Sequence, residues 1–388
     1  MALARWWNPL SRWRAPARVS AGAPVVQEAV RGDARLAPAP DHGVAPDARI
    51  VVGACAAEPT EAGEAYAHRL TDAAHAGTEL RGPFIAWLLS SGETASGSAD
   101  APADPLADPA VQRMFARLDE VIASAALRAH LLPRAPHVVP QLMKTLRDER
   151  YSSADVAQRI SKDVVLTAEV IRVAANAERR GGDAADSEID LARAVAVIGT
   201  QGLRRAIANV VLRPIFDARG DTLSARAAAR IWQDADRKAR LCAALAAQQA
   251  LDPFDGYLAG LLHDTGWSAL LRAIDGFPDA PPRIAQLTNA QAAAGLFRRR
   301  DALFGALVEP WQLGPTLTQL AVEVGRDGLA AAQSTLAAAL ATAERLATLY
   351  ALAPGSRSGA QCVPGWAALA EPVRQCWTAL SATGPGSS

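Results

Sequence analysis

From Asp108 onward, apolar residues recur at helical spacing in one segment after another, with no convincing run of strand-like alternation. The clearest segment opens at Ser187 with Asp190 and carries Leu191, Ala194, Val195 and Ile198 as an i, i+3, i+4, i+7 stripe that stops at Gly199. Thr200 is placed to cap the next helix, with Leu203, Ile207, Val210 and Val211, before Pro214 breaks the run. Upstream, Ser152 with Asp155, and then Asp163, mark two further starts, the second followed by Leu166, Val170 and Val173. A long helix is expected from about Ser224 to Leu251, burying Ile231, Trp232, Ala235, Ala239, Cys242 and Leu245 along one side. Later helices are expected near 254–263, 266–275, 281–308, 315–324, 327–352 and 365–381. Half of the residues are apolar, with alanine and leucine abundant, which suits an all-α core.

The organisation reads as three parts. Residues 1–107 are a low-complexity leader rich in Ala, Pro, Gly and Asp, expected to be largely disordered, with short docking segments such as the apolar island Gly82–Leu89. Residues 108–352 form the helical domain. Residues 353–388 supply a loop, a helix packed on that domain and a tail. Near the start, Leu3, Trp6, Trp7, Leu10 and Trp13 lie beside Arg5, Arg12, Arg14 and Arg18 at spacing suited to a short membrane-surface helix, an idea that Pro9 weakens. A docking peptide or a plain tail is the competing reading.

Lys plus Arg and Asp plus Glu are 40 each, so no overall field draws in nucleic acid, and no nucleic-acid partner is expected. Cys55, Cys242, Cys362 and Cys376 are too far apart for a zinc knuckle and are expected to be reduced. The most apolar stretch, 336–353, is interrupted by Glu344 and Arg345, and the N-terminus lacks the apolar block of a secretory signal. A cytoplasmic location is therefore expected.

Several ordered segments resemble the HDOD family, a degenerate relative of the HD metal-dependent phosphohydrolases. They are Leu132-Pro133-Arg134-Ala135-Pro136 with the span Asp163–Ala177, then ARAVAVIGTQGLRRAI at 192–207, then YLAGLLHDTGWSAL at 257–270 with its His263-Asp264 doublet, and later PWQLGP at 310–315. The resemblance implies a multi-helix HD-like bundle and a setting in bacterial signal transduction. A working HD site would need a histidine on the helix before the doublet, an aspartate after it, and often further histidines.

Those ligands are incomplete. The helix from Ser224 to Leu251 contains no histidine and offers Asp234 or Asp236 instead; other ligand positions resemble Asp301, Glu323 and Val324, and the final aspartate position resembles Glu344. Too few nitrogen donors remain to hold a binuclear centre, so no catalytic residue, metal ligand or cofactor is expected. His263, Asp264, Asp234 and Glu344 are the candidate residues of a vestigial binding site, and a mononuclear carboxylate-rich magnesium or manganese site built from the same four is the alternative. A third reading gives Asp264 or Thr265 only a helix-capping role and His263 a helix-end role. The Arg298-Arg299-Arg300 triplet reads as a solvated helix face, or else as a phosphate contact.

With no Ser elbow, no Cys beside a His and no glycine-rich phosphate loop, other enzyme chemistries lack support. The expected function is a non-catalytic regulatory module that binds a protein partner, with small-ligand binding open. A reduced-ligand phosphohydrolase is the rival, and the oligomeric state is not legible.

Overall fold

A computed structural model describes residues 80–90, 108–132, 167–172, 174, 191–278, 284–352 and 369–382. The N-terminal Trp/Arg segment, Pro133 and Pro136, the starts at Ser152 and Asp163, Cys55 and Cys362 lie outside them. In chain order the helices are α1 (Arg81–Leu89), α2 (Pro109–Ala123), α3 (Ala125–Ala129), α4 (Leu191–Phe216), α5 (Leu223–Gln248), α6 (Pro253–His263), α7 (Thr265–Asp275), α8 (Ile284–Leu287), α9 (Ala290–Val308), α10 (Pro315–Asp327), α11 (Thr335–Leu352) and α12 (Glu371–Ala382), with one 3-10 turn at Glu309–Trp311. Among the described residues there is no strand, so the fold is all-α, and no helix is long and apolar enough to cross a membrane.

Helix α5 is the scaffold. Its start is fixed twice: the Thr222 hydroxyl accepts the Ala225 N–H at 3.2 Å, and the Asp275 carboxylate at the end of α7 accepts from Leu223 and Ser224 at 2.8 and 3.1 Å. Ile231, Asp234, Ala235, Lys238, Ala239, Cys242 and Leu245 share its buried face, a helical stripe in which two of the seven residues, Asp234 and Lys238, are charged. Against this stripe lie α6, α7, α11, α12 and α1. Trp232 sits half-buried at the margin of the stripe, edge-on to Phe216 at 5.4 Å.

Small residues set the α5–α6 distance. A Cβ on Gly260 would come within 2.6 Å of the backbone of Ala239, so α6 can lie this close to α5 only because the side chain is missing. Phe254 to His263 are all buried, which leaves α6 enclosed and carries its last residue, His263, into the interior. A second close approach follows at once: a Cβ on Gly266 would meet the Arg300 carbonyl oxygen at 2.4 Å. That contact locks α7 onto α9 beside the end of α6.

The apolar island 82–89 is the helix α1, packed on α5, α8, α9 and α11. Phe84, 2% exposed, stands in an aromatic group with Trp267 and Phe297, and its burial contributes roughly 2–3 kcal/mol. At the other end of the chain, α12 packs on α5 and ties to α11 through the Tyr350 hydroxyl, which donates to the Leu380 carbonyl at 2.9 Å.

Several expected boundaries shift. The stop at Gly199 is a kink inside α4, where φ is 62°. Pro214 does not break that helix, which runs to Phe216; one missing N–H so near the end is tolerated. The span 281–308 divides where Asn289 caps α9 by accepting the Gln291 N–H. The last long helix begins at Thr335 rather than 327, because the chain turns at Gly328, where φ is 83°.

Candidate functional site

Five elements deliver charge to one buried place. Asp234 and Lys238, one turn apart on α5, face inward together. His263 closes α6, Asp264 forms the α6–α7 junction, Arg300 and Asp301 come from α9, and Glu344 comes from α11. The side chains of Lys238, His263 and Asp264 are all 0% exposed.

Lys238 is at the centre. Its ammonium lies 2.5 Å from Asp264 Oδ1, 3.4 Å from Asp234 Oδ2 and 3.7 Å from Glu344 Oε1. Burial opposes the lysine charge, but the three carboxylates outweigh it and hold the pKa above its ordinary value. Arg300, 1% exposed, is the second cation: its Nη1 donates to Glu344 at 2.5 Å and its Nε lies 2.7 Å from Asp301 Oδ1. The guanidinium also stacks near Phe297 and Trp267, at 4.9 and 5.3 Å from the ring centres.

His263 belongs to the same network. Its Nε2 is 3.0 Å from Asp301 Oδ1, its ring stands edge-on to Phe304 at 5.1 Å, and burial beside Arg300 and Lys238 holds its pKa well below 6.5. The ring is therefore neutral, with Nε2–H donating to the carboxylate, and Nδ1 is left without a partner. Asp301 also accepts the Leu329 N–H at 2.9 Å, which pins the turn after α10. Burial pushes the Asp264 carboxyl up to about 7 against the pull of Lys238, whereas Glu344, although desolvated, is drawn down to about 2 by Arg300 and Lys238.

Of the four residues singled out from sequence, Asp264, Asp234 and Glu344 surround one ammonium group, and His263 joins the cluster through Asp301, which Arg300 links to Glu344. The capping reading of the doublet is corrected. Asp264 stands at the N-cap of α7 but makes no side-chain cap bond, because its carboxylate is turned to Lys238; the Thr265 hydroxyl donates back to the Leu262 carbonyl at 2.6 Å. Asp236 lies elsewhere, bonded to Asn209 and Arg240. Glu323 points to Gln319 and Ser334, and Val324 is core.

Nor is the arginine triplet one solvated face. Arg298 is exposed, Arg299 lies over Phe115 and pairs with Asp119, and Arg300 is interior. Three consecutive residues on a helix point about 100° apart, so they meet three environments. Sequence reasoning missed Lys238 altogether and saw Arg300 only as one member of the triplet. The only signal for Lys238 was its place four residues after Asp234, inside an otherwise apolar stripe.

A divalent ion does not fit this centre. The oxygen atoms that would bind it are gathered round the Lys238 ammonium, and Arg300 adds a second fixed positive charge against Asp301 and Glu344. An ion placed there would have to expel a buried cation at 2.5 Å from its best ligand. Among the described residues, no three His, Cys, Asp or Glu side chains are arranged to hold a metal.

The helical bundle and the His-Asp corner at the α6–α7 junction define an HD-like domain, here with a lysine ammonium at its centre. Residues 132–324 match the HDOD domain, and the chain belongs to that family through them. Among solved structures, a "Putative metal-dependent phosphohydrolase" from Shewanella amazonensis SB2B is similar over 71% of this chain and 99% of its own, with 16% identity and a TM-score of 0.50. An HDOD domain protein with unknown function from Geobacter sulfurreducens is 22% identical, covering 60% of this chain and 77% of its own, with a TM-score of 0.43. At 16% identity the likeness to the Shewanella structure is one of fold. No curated protein matches the chain.

Proposed function

We propose that this chain is a non-catalytic regulatory module of the HDOD type, which works in signal transduction by binding a protein partner in the cytoplasm. The observation that carries the reading is the position of Lys238: its ammonium takes the place a catalytic cation would need, 2.5 Å from the aspartate of the doublet. Such a centre can hold helices in register. An ammonium at that position is no Lewis acid for hydrolysis.

In this reading the body, residues 108–352, presents the binding surface, residues 1–107 act as a tether that includes the docked helix α1, and 353–388 brace the body through α12. Because the chain carries as many Lys and Arg as Asp and Glu, contact rather than a long-range field selects the partner. Nucleic acid is not among the partners proposed.

The test compares full-length protein with its Lys238→Ala and His263→Ala variants in two assays: hydrolysis of bis(p-nitrophenyl) phosphate with manganese present, and capture of partners from the source cell. The proposal expects no turnover by the wild type, and partner capture that fails only as the variants unfold. Manganese-dependent turnover by the wild type, lost in His263→Ala, would replace it with the phosphohydrolase reading.

A further inference from the structure

Beside the buried charge centre lies a cleft of about 560 Å³, walled by the start of α1, by α9, by the turn after α10 and by α11. Four arginines line it: Arg81, Arg298 and Arg345 toward the opening, with Arg300 in the inner wall. Arg298 and Arg345 are exposed and make no ion pair with any described residue, and Arg81 lies over the Phe297 ring at 5.4 Å.

The carboxylates of the same cleft are already engaged. Asp301 holds His263, Leu329 and Arg300, Glu344 holds Arg300 and Lys238, and Asp327 pairs with Arg326 outside the cleft. The unmatched charge facing the cavity is therefore positive. Its volume falls in the range of small-molecule sites, about 300–1,000 Å³, and exceeds what a bare phosphate needs. Leu80 and Leu329, both buried, give it an apolar side.

We propose that this cleft binds a small phosphorylated organic molecule, with the phosphate held by Arg298, Arg345 and Arg81 and the organic part against Leu80 and Leu329. Guanidinium groups suit the fork geometry of a phosphate, and a cleft shields the contact from solvent and salt. Arg300 is taken up by Asp301 and Glu344, so the phosphate contact rests on the other three arginines. The site extends the binding-module reading by naming a ligand class, and its geometry stands independently of whether the centre hydrolyses anything.

The test is calorimetric titration of the full chain with adenosine 5′-monophosphate and with ribose 5-phosphate, using adenosine as the uncharged control. Expected is saturable binding of at least one phosphate compound, none of adenosine, and at least a tenfold loss of affinity in Arg298→Ala and in Arg345→Ala. Arg299→Ala, whose side chain lies over Phe115 instead, should bind as the wild type does. No saturation by either phosphate compound up to about 5 mM, or binding that survives the Arg298→Ala/Arg345→Ala double variant, overturns the site. Phosphate release in the same samples would instead contradict the non-catalytic reading and leave the site standing.

Discussion

Lys238 Nζ and Asp264 Oδ1 stand 2.5 Å apart with neither side chain exposed, joining the middle of α5 to the α6–α7 junction. The pair fills the centre of the bundle with charge that has no water to turn to. Each side depends on the other: the desolvation of Lys238 is offset by Asp264, Asp234 and Glu344, and that of Asp264 by Lys238 and Arg300.

Removing one partner should therefore be severe. Lys238→Met keeps the volume but leaves carboxylates uncompensated, and a loss of about 3–5 kcal/mol is expected. Lys238→Met/Asp264→Asn should recover part of it. Urea midpoints of the two variants check this, and a double variant less stable than the single one contradicts the pairing.

The pH dependence has two opposed parts. His263 is held neutral below its ordinary 6.5, so its contribution is fully present above pH 6.5 and is lost as pH falls below that, where the unfolded chain takes a proton the fold refuses. Asp264, raised by burial from 3.8 to about 7, behaves in reverse: its ionisation weakens the fold as pH rises through this interval. Accordingly, the stability gap between wild type and His263→Gln should narrow on acidification below 6.5, by up to about 1.4 kcal/mol per pH unit. The gap between wild type and Asp264→Asn should move the other way between 7 and 3.8. Parallel profiles across pH 5 to 7.5 would contradict both assignments.

Glu344 adds an acid limit of its own. Drawn down from 4.5 to about 2, chiefly by Arg300 against its own desolvation, it stabilises the fold above pH 4.5, and that contribution is lost as pH falls toward 2. Glu344→Gln should lower stability at pH 7 and flatten the loss below 4.5, as read by acid titration of the circular dichroism signal.

Gly260 sets the approach that makes the centre. Gly260→Ala must push α6 off the backbone of Ala239, 2.6 Å from the new methyl, and is expected to cost about 1–3 kcal/mol. Thermal unfolding checks the magnitude. An unchanged midpoint would mean that α5 and α6 are not packed this closely.

Much of the bundle was legible because α5, α6 and α7 each pair a helical apolar stripe with a clear start or stop. The acidic half of the site was legible too: Asp234, His263, Asp264 and Glu344 stood at positions resembling an HD site. The basic half was hidden among apolar residues and among like charges. A stripe is counted in apolar residues, so Lys238 registered as a gap between Ala235 and Ala239, although its side chain is fully buried. Arg300 was concealed by Arg298 and Arg299, since a run of like charges reads as solvent-facing until the helix rotation assigns each residue its own side. Trp267 escaped notice for a related reason: its aromatic partners Phe84 and Phe297 come from helices far away in sequence.

The central claim is that the Lys238 ammonium, and not a metal ion, neutralises the His263-Asp264 corner. Anomalous diffraction at the manganese edge from crystals of the wild-type protein soaked in manganese chloride tests it most directly. The account predicts continuous density from the lysine side chain to within hydrogen-bond distance of Asp264, and no anomalous peak at the centre. An anomalous peak coordinated by His263, Asp264 and Asp234, with Lys238 swung away, would contradict it.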